Sequence, residues 1–217
     1  MRARLSSWLF IVVSGTALAQ GADVGLVNMV SGEVTFVPLA GTPGSVRTFM
    51  RVRDGDRVTV APGAQVRVVF FQGARQERWA GPASFRAGEK AGEPISGKSA
   101  EVVTLPAGVP QRIARVPDLL QNARLGGMQL RGGHTPEQRA SLAQQDALRE
   151  ARKTYDQILP DFPSDDITPE LYLYAALHEY LLYDEMKAAV TAMLRKQPNN
   201  EDVKALDSWV NSRLGRQ

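Results

Sequence analysis

The sequence predicts an α+β protein in two segregated domains: an N-terminal all-β sandwich of short antiparallel strands, and a C-terminal all-α domain of helical hairpins. Between residues 24 and 104, short runs of alternating apolar and polar residues are separated by glycine and proline. From residue 135 onward, the apolar residues recur at helical spacing between proline stops. We expect a leader at 1–19, a β domain at 22–105, a Pro/Gly-rich linker at 106–134 and a helical domain at 135–217.

The N-terminus is typical of a secretory signal peptide. Two arginines precede an apolar run at 8–13, and the small residues Ala17 and Ala19 then match a cleavage site. The apolar run is shorter than the ~20 residues that span a bilayer, although an uncleaved anchor or a buried helix is the alternative. We predict cleavage between Ala19 and Gln20, export to the periplasm and no stable membrane span afterwards.

Charge and cysteine content exclude several classes of protein. Without Arg2 and Arg4 of the leader, 24 basic residues remain against 23 acidic ones. The arginines are scattered or alternate with acids, which is not the clustered footprint of a nucleic-acid binder. The chain has no cysteine, so disulfides, thiolate metal sites, thiol nucleophiles and a lipid anchor on an N-terminal cysteine are excluded.

The clearest strand starts at residue 65. Val66, Val68 and Phe70 share one face, whereas Gln65 and Arg67 begin the other. Shorter alternating runs occur at 32–36 and 57–60, and the turns between strands hold glycine at 55, 63 and 73, where a positive φ costs little. The pattern predicts half-solvated antiparallel strands joined by hairpins.

Four motifs in this region resemble the FecR domain family. They are Val-Ser-Gly-Glu-Val at 30–34, Asp-Gly-Asp-Arg-Val at 54–58, the hydrophobic strand ending in a glycine turn at 65–73, and Trp-Ala-Gly-Pro-Ala-Ser-Phe at 79–85. Gln-Gly-Ala at 72–74 replaces the family's more usual Asp-Gly-Ser. The best-known members cross the inner membrane and control a sigma factor from a cytoplasmic segment. Here a leader occupies that place, so the resemblance implies envelope binding or signalling without direct sigma-factor control.

Capping signals divide the C-terminal part into four helices. Thr135-Pro136 opens the first, which we expect to run to about 159, and Thr168-Pro169 opens the second, to about 183. A third spans about 185–196, and Asn199 or Asn200 caps a last helix that ends near 213.

A weak internal repeat links the first and third of these helices. Five positions recur at a spacing of 35 residues: Ala151, Tyr155, Ile158, Leu159 and Pro163 align with Met186, Val190, Met193, Leu194 and Pro198. This resembles the second helix of tetratricopeptide repeats, in which such positions face a partner helix. We expect one and a half to two degenerate repeats, capped by the last helix or by the β domain.

No catalytic, metal or cofactor site is legible. His134 and His178 lie in different contexts, and His178 is predicted to pack near Tyr174. The acids of the 54–56 turn lack the rest of a calcium loop, so we interpret them as turn formers. Three further acids precede a helix, where carboxylates stabilise the N-terminal dipole: Asp161, Asp165 and Asp166.

Four residues are candidates for partner binding. Tyr172, Glu179 and Tyr183 recur at helical spacing and form an exposed stripe if the opposite face packs inward; core burial is the alternative. Trp79 either stacks on a sugar ring or anchors the sheet core.

These observations favour an exported, non-enzymatic adaptor of the cell envelope. In this hypothesis the β domain binds an envelope ligand or protein, and the helices hold a protein partner. A carbohydrate or cell-wall binding module is the first alternative. An envelope hydrolase without a legible motif is the second.

Overall fold

A computed structural model describes residues 21–125 and 142–215 of the chain. It confirms the α+β layout, with two antiparallel sheets at 23–104 and helices at 109–214. The ten strands are β1 (Asp23–Ser31), β2 (Val34–Val37), β3 (Gly44–Ser45), β4 (Arg51–Arg53), β5 (Arg57–Val60), β6 (Gln65–Phe70), β7 (Arg75–Ala80), β8 (Ala83–Ala87), β9 (Gly92–Gly97) and β10 (Glu101–Thr104). The six helices are α1 (Val109–Ile113), α2 (Val116–Arg124), α3 (Leu142–Ile158), α4 (Thr168–His178), α5 (Tyr183–Lys196) and α6 (Glu201–Leu214).

The strands form two five-stranded sheets. The first sheet has the order β10-β7-β6-β1-β4, and the second has the order β3-β2-β5-β8-β9. Alternating side chains from both sheets, including Val66, Val68 and Phe70 of β6 and Phe85 of β8, meet in one apolar core. The predicted inward face of β6 is therefore confirmed.

The first sheet is also covered on its outer face, which the sequence pattern did not predict. Leu26 of β1 and Val69 of β6 belong to a second core, together with apolar residues of the helices. The molecule thus has three layers: the second sheet, the first sheet and the helices. The central strands β1 and β6 are buried almost throughout because both of their faces are covered.

The turn chemistry agrees with the sequence at two positions and differs at a third. Gly55 and Gly63 have φ values of 85° and 77°, as a left-handed turn requires. In the third turn the left-handed residue is Ala74, with φ 45°, and not Gly73. Gly73 is needed for another reason, because a Cβ there would collide with the carbonyl oxygen of Lys90.

Two helices occupy the first half of the segment interpreted as a linker. Pro110 and Pro117 are the second residues of α1 and α2, a position where a missing N–H costs nothing. Val109, Ile113 and Val116 are fully buried in the helical core. Residues 106–125 therefore pack as part of the body, and residues 126–134 lie outside the described range.

The later helices match their predicted positions with small shifts. Helix α4 ends at His178, not near 183, because Leu181 has φ 55° and leaves the helical conformation. Helix α4 packs against α3 and α5, and α5 packs against α6. The predicted cap Thr135 lies outside the described residues. Among the helices that the structure describes, none combines the length and apolar character needed to cross a membrane.

Candidate functional site

Three adjacent strands of the first sheet present buried polar side chains to the helices. Asn28 lies where the pairing of β1 with β6 shifts between Val27 and Met29, and such a bulge redirects a side chain. Arg67 of β6 and Gln76 of β7 point outward by the two-residue alternation of their strands. All three side chains are at most 3% exposed.

The opposing side chains come from the segment that opens α4. Asp165, Asp166 and Thr168 face the sheet, and the Thr168 hydroxyl donates to Gln76 Oε1 at 2.5 Å. Gln76 Nε2 donates to Asp166 Oδ2 at 2.5 Å. Asn28 Nδ2 donates to Gln76 Oε1 at 2.8 Å and also to the Thr168 hydroxyl. We call these six residues the sheet–helix polar network: Asn28, Arg67, Gln76, Asp165, Asp166 and Thr168.

Ion pairs add to this network. Arg67 Nη2 donates to both carboxylate oxygens of Asp165 at 3.0 Å, and its Nη1 lies 3.6 Å from Asp166 Oδ2. Next to the network, Lys196 Nζ of α5 lies 2.8 Å from Glu170 Oε1 and donates to the Asp166 carbonyl at 2.8 Å. Three charged groups, Arg67, Asp166 and Glu170, are therefore withdrawn from water, each beside an oppositely charged side chain. The ion pairs of Arg67 connect the sheet to the helices.

Most of the network is buried, and its hydrogen bonds and ion pairs connect the sheet to the helices. Asn28 Oδ1 and Arg67 Nη1 have no hydrogen-bond partner, yet both atoms are buried. The side chains of Asp166 and Thr168 are also inaccessible. The arrangement is therefore a buried polar connection between the sheet and the helices.

A groove of about 450 Å³ lies beside Asp165, at the exposed end of the sheet–helix polar network. One wall is the end of β1 with Gln65 of β6, and the other is the corner between α5 and α6. Asp165, which is 49% exposed, joins the groove to the network through Arg67. Gln65, Gln197 and Asn200 already form hydrogen bonds within the chain. The lining is rich in hydroxyl and amide side chains: Ser31, Thr48, Gln65, Gln197, Asn199 and Asn200. Such groups both donate and accept hydrogen bonds.

Trp79 lies in the core between the sheets, which corrects its assignment to partner binding. It is 1% exposed and stacks on Phe85 with ring centroids 4.4 Å apart. Its indole nitrogen donates to Glu77 Oε2 at 3.1 Å. A side chain enclosed in this way offers no face to a sugar, so the structure favours the core alternative.

Tyr172 is buried and Glu179 is exposed, and both contact Arg112 of α1 instead of forming a free surface stripe. Arg112 Nη1 donates to the Tyr172 hydroxyl at 2.9 Å, and its guanidinium lies 5.4 Å from the ring centroid. Arg115 Nη1 donates to Glu179 Oε1 at 2.6 Å. The structure brings these two sequence-predicted residues together at Arg112, which belongs to the segment interpreted as a linker.

Tyr183 and His178 lie near each other, packed against Trp209 of α6. The Tyr183 and Trp209 rings meet edge to face at 5.9 Å, and the His178 ring stacks on Trp209 at 5.4 Å. Burial lowers the pKa of His178, and Arg213 adds to the effect while Glu179 opposes it. The predicted neighbour Tyr174 is farther from His178, at 6.5 Å between centroids.

Asp166 and Asp56 form backbone contacts that support a structural interpretation, whereas Asp165 pairs with Arg67 instead of capping a helix. Asp166 Oδ1 accepts a hydrogen bond from the backbone N–H of Thr168, the first residue of α4, at 2.8 Å. Asp56 Oδ2 accepts from the Arg53 backbone N–H at 2.9 Å and closes its turn. Burial raises the pKa of Asp56, although these backbone contacts and Arg53 oppose the shift. The predicted cleavage residues Ala19 and Gln20 lie outside the described range.

Glu77 is a buried acid that sequence reasoning missed. Its Oε2 accepts from the Gly92 backbone N–H at 3.0 Å as well as from Trp79. Burial raises its pKa, while these hydrogen bonds and Arg75 lower it. The signal was present, since Glu77 stands two residues before Trp79 on a strand and so shares its inward face.

Comparison with known proteins adds no assignment: no protein-family model, curated protein or solved structure matches this chain. Within residues 21–125 and 142–215, no group of three histidine, aspartate or glutamate side chains is arranged to hold a metal ion. A functional hypothesis therefore depends on the fold, the network and the groove.

Proposed function

We propose that this protein is an exported, non-enzymatic adaptor of the cell envelope that binds a protein partner in the groove between the first sheet and the α5–α6 corner. The observation that carries the proposal is the position of that groove. Its two walls belong to the β part and the helical part, which the sheet–helix polar network holds in a fixed relation. A partner seated there contacts both parts at once.

The lining suits an extended peptide segment. Hydroxyl and amide side chains such as Ser31, Thr48 and Asn199 can pair with the N–H and C=O groups of a peptide backbone. The four charged side chains at the rim are already paired: Asp165 with Arg67, Lys196 with Glu170, Asp202 with Arg124, and Glu201 with Lys204. Recognition would therefore depend on hydrogen bonding and shape more than on net charge.

Localisation in the periplasm rests on the signal-peptide pattern of residues 1–19.

A site-specific crosslinking experiment tests the proposal. A photoreactive amino acid at Ser31, which lines the groove, is compared with the same amino acid at Ser208, an exposed position on α6 outside the groove. Both chains are expressed with the natural N-terminus, irradiated in cells and analysed by mass spectrometry.

We expect one envelope protein to be captured from position 31 and not from position 208, on a chain whose N-terminus is Gln20. Equal capture at both positions, or none, would contradict the groove as the binding site. An uncleaved chain in the cytoplasm would contradict the proposed export, whichever adduct is found.

A further inference from the structure

A second cluster of interest lies where helices α4, α5 and α6 meet. Trp209 is at its centre. The His178 ring is 5.4 Å from the Trp209 ring, the Tyr183 ring is 5.9 Å away, and the Arg213 guanidinium lies 5.2 Å above it. Tyr174 completes the cluster beside His178. The lining of the groove described above includes none of these five residues.

Three hydrogen-bond donors in this cluster are buried without an acceptor. Tyr174 Oη, Trp209 Nε1 and Arg213 Nε have no partner among the described residues. An indole N–H and a guanidinium N–H can only donate. Buried donors are nearly always paired in folded proteins, so three unpaired ones in a single cluster indicate a missing acceptor.

The cluster also has an unbalanced positive charge. Within the described part of the chain, Arg213 forms no ion pair with a carboxylate. The nearby acid Glu179 is held by Arg112 and Arg115, and Asp207 of the same helix is held by Lys187. The missing acceptor is therefore expected to be an anion.

We propose that this cluster binds a small carboxylate group, with Arg213 and Trp209 as its principal donors. A carboxylate is planar and has two acceptor oxygens, which match a guanidinium edge and an adjacent N–H. A single arginine surrounded by aromatic rings suits a monoanion better than a phosphate, which carries more charge. Tyr174, whose hydroxyl is also unpaired, lies beside His178, and the half-buried rings of His178 and Tyr183 flank Trp209.

The indole proton of Trp209 provides a direct readout. The purified protein, labelled with ¹⁵N-tryptophan, is titrated with sodium acetate against sodium chloride at equal ionic strength. Cross-peaks are assigned with the Trp209→Phe variant. Trp79 serves as an internal reference, because its buried indole already donates to Glu77. We expect a saturable shift of the Trp209 cross-peak in acetate only, with Trp79 unchanged.

Two variants and two peptides test the assignment of the donors and the source of the carboxylate. Arg213→Gln should weaken acetate binding by about tenfold or more, because it removes a charge-assisted hydrogen bond. Arg195→Gln, at an exposed arginine of α5, should leave binding unchanged. Binding of an acetylated tripeptide acid more tightly than acetate, with no binding of its C-terminal amide, would identify a peptide terminus. If the tripeptide acid binds no more tightly than acetate, the ligand is a free small carboxylate and not a peptide terminus.

A linear shift shared by both indoles, or a saturable shift that survives Arg213→Gln, would overturn the proposal. Absence of any acetate effect on the Trp209 cross-peak would also overturn it, and exchange between the indole proton and a bound water would then identify water as the acceptor.

Discussion

Arg67 and Asp165 join the two parts of this protein across 98 positions of sequence. Arg67 Nη2 donates to both oxygens of the Asp165 carboxylate at 3.0 Å, from a side chain that is only 3% exposed. The same guanidinium lies 3.6 Å from Asp166, whose carboxylate is fully buried. The β sheet and the helices are therefore connected through buried charge as well as through apolar contact.

Replacing Arg67 by alanine should lower the free energy of unfolding by about 3–5 kcal/mol, because Asp166 is left as a buried carboxylate without its partner. Urea unfolding followed by circular dichroism measures the change. Arg78→Ala is the matched control: its partner Glu101 is 75% exposed, so the expected loss is about 0–1 kcal/mol.

A further variant identifies the cause of that loss. Adding Asp166→Asn to Arg67→Ala removes the stranded charge and should recover part of the stability. If Arg67→Ala is no more destabilising than Arg78→Ala, the buried ion pair does not hold the two parts together.

Replacing Trp79 by alanine should destabilise the protein by about 3–5 kcal/mol, since a large cavity would open beside Phe85. Ile95→Ala, at a side chain that is 44% exposed on β9, should cost about 0.5 kcal/mol or less. Thermal unfolding compares the two variants. A stable Trp79→Ala protein that has lost glycan binding would instead support the sugar-stacking alternative.

The buried acid Glu77 should make stability depend on pH. Because burial raises its pKa above the ordinary value of 4.5, the folded state holds the proton more tightly than the unfolded state. Its contribution to stability is fully present below about pH 4.5 and is lost as the pH rises through the folded pKa. The stability of the native protein relative to Glu77→Gln should therefore fall with rising pH.

Denaturant unfolding of both proteins between about pH 4 and pH 7 measures this difference. Glu93→Gln, at an exposed glutamate on the neighbouring β9, controls for the loss of a carboxylate. A difference between native protein and Glu77→Gln that stays constant or grows as the pH rises would contradict the expected sign.

Asn200 caps the last helix, as the sequence predicts. Its side-chain oxygen accepts from the backbone N–H groups of Asp202 and Val203 at 3.0 and 3.3 Å. Asn200→Ala should cost about 1 kcal/mol in the free energy of unfolding. Asn199→Ala, one residue earlier and exposed, should cost clearly less; equal losses would show that the cap contributes nothing specific.

Local rules explain why parts of the fold could be predicted. The alternation of β6 placed Val66, Val68 and Phe70 in the core, and the asparagine before α6 marked its start. The candidate site was less accessible to this reasoning. Tyr172 and Glu179 have the spacing of a surface stripe, but spacing does not reveal that Arg112 and Arg115 of a distant segment contact them.

Pro110 and Pro117 are a second case in which the local sequence does not determine the structure. Proline is equally compatible with a loop and with the first turn of a helix, so the residue alone does not distinguish a linker from α1 and α2. The distinction came from packing, because Val109, Ile113 and Val116 are buried against the rest of the helical core.

By itself, the sequence determined the α+β order, the inward face of the best strand and the helix starts at Thr168 and Asn200. These features depend on residues within a few positions of one another, because alternation and capping are local properties of the backbone. Only the tertiary structure decided that the outer face of the first sheet is buried and that Asn28, Arg67 and Gln76 meet the start of α4. The alternation of polar and apolar residues along a strand is the same whether the polar side chain faces water or a residue 98 positions away. Only long-range packing distinguishes these two environments.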